Sequence, residues 1–157
     1  MTDPDPLLSI GVFARRSWLS MKVPEQPAWL GDASRRLVKA AGEHGGVAGP
    51  MLAIYHGEVN EDSDGPVEVC VPVDASRAPA INAPTRREAA HKEAYVRLIK
   101  SQVEYPQILS AYDAVAHWIG ANGYDIAGSP REVYFADWDA AGPDDEVCDV
   151  AFPMNPR

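Results

Sequence analysis

Glu132-Val133-Tyr134 stands 79 positions after Ala53-Ile54-Tyr55. Around this pair the chain reads twice. Pro27-Ala28-Trp29-Leu30 opens one helix-like stretch, and Pro106-Gln107-Ile108-Leu109 opens another at the same offset. Glu68-Val69-Cys70-Val71-Pro72-Val73 returns as Asp149-Val150-Ala151-Phe152-Pro153-Met154, offset by 81. Each half reads helix, strand ending in Tyr, acidic loop, strand ending in Pro. The halves span about residues 7–73 and 86–154. A repeat of this kind sets the fold expectation. Two copies are too few for a solenoid or propeller. They predict an α+β fold of two pseudo-symmetric β-α-β-β modules, an antiparallel sheet with helices on one face. The seam between them is a natural ligand cleft.

Bulk composition bounds the rest. At 157 residues the chain is expected to be a single domain, residues 1–157, with an ordinary 46% apolar and 24% charged content. A net charge of −9 disfavours direct binding to nucleic acid and suits cationic ligands. No apolar run approaches a membrane span, and no basic-then-apolar leader opens the chain. Cys70 and Cys148 are isolated thiols, read as reduced in a cytoplasmic protein.

Hydrophobic periodicity places the elements. Leu7 to Val23 reads as a long strand with an irregularity near Arg15-Arg16-Ser17. Residues 25–43 read as a helix with Leu30, Ala33, Leu37, Val38 and Ala41 as its apolar stripe. Met51 to Val59 and Pro66 to Val73 form a hairpin, and residues 74–86 a linking loop. Glu88 to Val103 is read as the second long strand, although its composition also permits helix. Tyr105 to Gly120 is the second helix, and Arg131 to Trp138 with Glu146 to Met154 the closing hairpin.

Strand alternation then sorts the faces. Val133, Phe135, Cys148, Val150 and Phe152 are assigned to the helix-covered face, as are Leu52, Ile54, Val67, Val69 and Val71. Glu132, Tyr134, Ala136 and Trp138 are assigned to the opposite face, as are Met51, Ala53, Tyr55, Glu68 and Cys70.

Glu132 is the leading candidate site residue. A carboxylate among aromatic rings can hold a lipophilic cation, and each ring adds roughly 0.5–2 kcal/mol of cation–π attraction. Partial burial would raise its pKa and suit general acid/base work. The same spacing also fits an exposed strand glutamate paired with Arg131 or a lysine. Other motifs carry less. Asn60-x-Asp62-x-Asp64-Gly65 imitates a calcium loop, but Val71 occupies the position that needs a bidentate Glu, so a hairpin turn is expected. His56, His91 and His117 lack companions at metal-ligand spacing, so no metal is expected. Ser129-Pro130 and the glycines make no phosphate loop, no Gly-x-Ser-x-Gly nucleophile elbow is present, and no cofactor is expected. Tyr112 and Trp118 are read as packing residues. Leu8 to Ser17 resembles the opening of a MerR-type winged helix-turn-helix. Too little chain follows before residue 27 for a recognition helix and wing, so it is read as a strand.

Several stretches together resemble the GyrI-like small-molecule-binding family, the effector-binding domain of multidrug-sensing MerR and AraC regulators. They are Gly49 to Gly57, Val69 to Val73, Ala116 to Gly123, Arg131 to Phe135 and Cys148 to Pro153. The resemblance covers about residues 8–154. It implies two modules around a central cleft that takes hydrophobic, often cationic aromatic compounds. It implies that Glu132 meets the ligand's positive charge, with Tyr55, Tyr134, Tyr95 and Trp138 as aromatic walls. Met51 and Glu68 complete the expected set of ligand-binding residues from the face assignment. Asp149 stands in the last strand where the family more often has Glu. Stand-alone relatives include sequestering proteins, gyrase-interacting proteins and hydrolases of cyclopropane-bearing alkylating compounds. In the last case Glu132 would be the general acid/base.

Overall fold

A computed structural model describes residues 8–15, 26–57, 67–83, 85–88, 91–104 and 106–157. The first half supplies β1 (Leu8–Arg15), α1 (Gln26–Gly42), β2 (Met51–Tyr55) and β3 (Val67–Pro72). A short β4 (Thr85–Arg87) follows. The second half supplies β5 (Lys92–Ile99), α2 (Ile108–Ala121), β6 (Tyr124–Ile126), β7 (Arg131–Tyr134) and β8 (Glu146–Pro156). The fold is α+β, an open antiparallel sheet in the order β4-β1-β3-β2-β7-β8-β5, with β6 also on β8. The expected acidic turn at 60–65 and the continuation of the first strand past Arg15 lie outside the described residues.

The central contact is β2 against β7. Ala53 pairs directly with Glu132, and Met51 with Tyr134. Directly opposed residues of antiparallel strands share a face, so this register fixes which side chains meet. On β3, Val69 pairs with Ala53 and Val67 with Tyr55. On β8, Val150 pairs with Glu132 and Cys148 with Tyr134. On β5, Ala94, Val96 and Leu98 pair with Phe152, Val150 and Cys148.

Both helices cover this one face. Ala33, Leu37 and Ala41 recur every fourth residue on α1 and pack on Val67, Val69 and Val71. The small residues on either side let Leu37 press into the sheet, where it is buried. Burial of such a side chain contributes about 2 kcal/mol. Gly45 and Gly46 end the helix at φ 98° and 83°, a conformation that β-carbons disfavour. Gly46 N–H then donates to Ala41 O at 2.8 Å. On α2, Ile108, Ala111, Val115 and Ile119 are buried. They meet Leu98 and Val150 at one end and Phe152 and Met154 at the other. Gly123, at φ 81°, turns the chain from α2 into β6.

The face assignment read from alternation needs correction in two strands. β3 and β8 keep Val67, Val69, Val71, Cys148, Val150 and Phe152 toward the helices, as expected. In β2 the helix-facing residues are Met51, Ala53 and Tyr55, not Leu52 and Ile54. In β7 they are Glu132 and Tyr134, not Val133. Phe135, just past β7 and expected on the core face, is 39% exposed. A one-residue change of phase exchanges every side chain between faces. Both faces of β2 carry apolar residues, so alternation there had nothing to choose between.

Three smaller differences follow from local pairing. The expected loop at 74–86 contains a 3-10 turn, Ala78–Ala80, and runs into β4. Among the described residues, the expected strand at 88–103 forms over Lys92–Ile99 and then tightens into a 3-10 turn, Lys100–Gln102. Tyr124–Ile126, for which the periodicity predicts no element, forms β6. Among the described residues, no helix is long and apolar enough to cross a membrane.

Cys70 and Cys148 are both fully buried. Burial, with Glu68 nearby, pushes the Cys70 thiol up to about 12. Burial, with Glu132 nearby, raises Cys148 as well. Neither thiol is expected to react with a maleimide in the native protein at neutral pH, and both should react in denaturant. Labelling of either thiol in the native fold at the rate of free cysteine would contradict this packing.

Candidate functional site

The register places Glu132 in the middle of the sheet, under the helices, with 5% of its surface exposed. A lone carboxylate there would be costly. Three tyrosines offset that cost. Tyr112 on α2 donates its hydroxyl to Oε2, and Tyr134 donates to Oε1. Tyr55 on β2 adds a third hydrogen bond to the carboxylate. The rings also brace one another. Tyr55 meets Tyr112 edge-on at 6.4 Å, and Tyr112 meets Phe152 edge-on at 6.1 Å.

Electrostatics at this site are set by opposing effects. Burial raises the Glu132 carboxyl above its ordinary value of 4.5, and hydrogen bonds from Tyr112, Tyr134 and Tyr55 pull it back only in part. Burial first, and then the Glu132 charge, hold Tyr112 and Tyr134 well above the usual phenol value. The tyrosines therefore stay protonated as donors. The carboxylate is a buried acceptor that can exchange a proton or face a cation.

Four of the expected site residues, Glu132, Tyr134, Tyr55 and Met51, lie on this helix-covered face. Trp138 sits beyond the end of β7, its ring 6.2 Å from Tyr134 and edge-on to it. Its own ring already carries Lys100, whose Nζ lies 4.9 Å from the centroid. Tyr95 and Glu68 are elsewhere. Tyr95 pairs with Ala151 on the opposite face and is 60% exposed. Glu68 pairs with Ile54, also on the opposite face. Tyr112, expected only to pack, completes the shell around Glu132. The signal was available: a tyrosine on a buried helical stripe needs a partner for its hydroxyl.

A second polar group occupies the other face. Arg86 grips Glu68 bidentately, Nε to Oε2 at 2.7 Å and Nη2 to Oε1 at 2.9 Å. Arg86 also donates to Glu88, which accepts from Arg131 Nη1 at 2.7 Å. Arg131 is 5% exposed and follows the strand alternation away from Glu132. Spacing in the sequence could not bring residues 68, 86, 88 and 131 together, because only the pairing of β4, β1, β3, β2 and β7 does so.

No protein-family model matches this chain, and no curated protein matches it. Solved structures do. The EcmrR chain in a cryo-EM complex with DNA superposes with a TM-score of 0.71 at 18% identity. The match covers 99% of this chain and 56% of that one, so this chain spans about half the length of that relative. The crystallised C-terminal domain of EcmrR gives 0.68 at 18% identity, covering 99% and 94%. An uncharacterised conserved protein from Listeria innocua gives 0.64 at 10% identity, covering 96% and 89%. These likenesses show the fold, which is consistent with a GyrI-like one.

Proposed function

We propose that this chain binds bulky hydrophobic compounds, preferably cationic and aromatic, on the helix-covered face of the sheet, with Glu132 as the countercharge. The observation that carries this reading is a carboxylate buried at the β2–β7 contact and held by three tyrosine hydroxyls. An acid in that position costs stability, and a structural core has no need of it. The tyrosines offer π faces as well as hydroxyls, which suits an aromatic cation. A ligand reaching Glu132 has to displace at least one hydroxyl. Tyr112 is the natural one to yield, because it comes from a helix and not from the sheet that carries Glu132. The likeness to an effector-type fold supports small-molecule binding in general terms.

The test is a fluorescence titration of a lipophilic cation such as rhodamine 6G against wild type and Glu132→Gln. Affinity is expected to fall at least tenfold, since one removed countercharge in a dry site is worth about 1.5–3 kcal/mol. Equal affinity in the two proteins removes Glu132 from this role.

A second reading is hydrolysis of cyclopropane-bearing alkylating compounds with Glu132 as general acid/base. The raised Glu132 carboxyl favours it, because a proton held nearer neutrality is better placed for transfer. Mass spectrometry of an incubated substrate decides it: no water addition above background leaves binding alone.

A further inference from the structure

On the face of the sheet away from the helices, an open cavity of about 410 Å³ is lined by His56, Glu68, Ser129 and Arg131 among others. His56 Nδ1 lies 3.0 Å from Ser129 Oγ, and His56 Nε2 lies 2.9 Å from Glu68 Oε1. A hydroxyl, an imidazole and a carboxylate thus stand in line, drawn from three separate parts of the chain. We propose that Ser129, His56 and Glu68 form a nucleophile, base and orienting acid, and that this cavity hydrolyses small uncharged carboxylic esters.

The roles follow from the contacts. Glu68 is buried, and although burial raises its carboxyl, hydrogen bonds from Arg86 and His56 bring it below the usual value. It stays ionised and can only accept, so it fixes a proton on His56 Nε2. Nδ1 is then the free lone pair, and it accepts from the Ser129 hydroxyl. The two ring nitrogens exchange the places they hold in the familiar serine-protease arrangement, but the logic of the relay is unchanged.

The network also closes on itself. Glu68 accepts from Arg86, Arg86 donates to Glu88, and Glu88 accepts from Arg131. Arg131 Nη2 then donates to the backbone carbonyl of Ser129 at 3.1 Å. Both ends of the network therefore meet at Ser129, which holds its main chain as well as its hydroxyl. Arg131 Nε is buried without a hydrogen-bond partner among the described residues, its approach to Glu93 being 3.7 Å. A buried guanidinium kept partly unsatisfied beside a polar cavity is more than packing requires.

Substrate class follows from size and charge. Two arginines are matched by Glu68 and Glu88, so the lining carries no net charge to attract an ion, and Ile54 supplies an apolar wall. A volume of this order fits a small molecule. In the reaction, Ser129 Oγ bonds to the ester carbonyl carbon while its proton passes to His56 Nδ1. The carbon–oxygen bond to the alcohol breaks, and the leaving oxygen takes that proton. Water then adds to the acyl-serine with the same base, releasing the carboxylic acid and restoring Ser129.

The test uses a fluorophosphonate probe, which forms a phosphorus–oxygen bond with an activated serine and expels fluoride. Peptide mapping is expected to find the adduct on Ser129. Labelling should vanish in Ser129→Ala, slow at least tenfold in His56→Ala, and persist in Ser110→Ala, an exposed serine on α2. p-Nitrophenyl acetate turnover should follow the same order. Absence of a Ser129 adduct in folded wild type overturns the proposal, as does labelling at an unchanged rate in His56→Ala. Ser129 lies in the irregular segment between β6 and β7, outside both strands, so retention of the native circular dichroism spectrum keeps either result interpretable.

Discussion

Glu132→Gln is expected to be more stable than wild type at neutral pH while binding a lipophilic cation at least tenfold more weakly. Both effects come from one group. The folded-state carboxyl of Glu132 lies above its ordinary value of 4.5 because burial disfavours its charge. Between those two values the folded protein keeps a proton that the unfolded chain has released. Folded protein thus binds more protons, and stability declines as pH rises through that window. Glutamine carries no charge to desolvate. Its oxygen still accepts from Tyr112 or Tyr134, and its amide donates to a remaining hydroxyl. The gain should be about 1 kcal/mol at neutral pH, or ~2–4 °C in Tm for a domain of this size. It should vanish at pH values below 4.5, where both states of wild type are protonated. Thermal melts of the two proteins across pH check this. A Glu132→Gln protein less stable than wild type at neutral pH would make Glu132 a structural hub, and the binding reading would lose its main support.

The burial of an acid at the β2–β7 contact also explains what the sequence did and did not disclose. Valine at every second position of β3, and Cys148, Val150 and Phe152 on β8, reported the core face correctly. So did Ala33, Leu37 and Ala41 on α1. The failure came at β7, where alternation anchored on Val133 and Phe135 placed Glu132 on the face away from the helices. The core-facing positions of β7 instead carry Glu132 and Tyr134, while Val133 looks outward. Local pattern breaks where a site replaces core with chemistry. Nothing within five residues of Glu132 announces this. The cross-strand partner Ala53 does, once the register is known. It is small enough to leave room for the carboxylate, and it lies at the position related to Glu132 by the 79-residue offset. The network of Glu68, Arg86, Glu88 and Arg131 was illegible for a different reason. Its members are surface-type residues that meet only through strand pairing of distant segments, which buries Glu68 and Arg131. Tyr112 lay between these cases, visible as an amphipathic residue on a buried stripe but without a stated partner.

Glu68→Ala should be the most destabilising single change on the outer face, at about 3 kcal/mol. Glu68 is buried and accepts two hydrogen bonds from Arg86 and one from His56. Removing it leaves the Arg86 guanidinium with only Glu88 as a carboxylate partner. Arg86 keeps about a third of its side chain in water, which holds the loss near the lower end for a broken buried pair. Replacing both partners, Glu68→Leu with Arg86→Met, should recover most of it, because neither charge is then buried alone. The pH dependence runs opposite to that of Glu132. Burial raises the Glu68 carboxyl, but Arg86 and His56 lower it by more, so its folded value sits below 4.5. Its stabilisation is complete above 4.5 and is lost as pH falls through the folded value. Urea titrations at neutral pH and in mild acid separate the two acids. Glu68→Ala should flatten the acid side of the stability profile, and Glu132→Gln should flatten its decline toward neutral pH. A cost below about 1 kcal/mol for Glu68→Ala would mean that the network behaves as a solvated surface pair. The orienting acid proposed for Ser129 and His56 would then be too loosely held to fix the imidazole. Residues 131 and 132 are neighbours in one strand, yet they serve opposite faces whose ionisable groups pull stability in opposite directions with pH. That division follows from the β2–β7 register, and a slip of one residue would exchange the two sites.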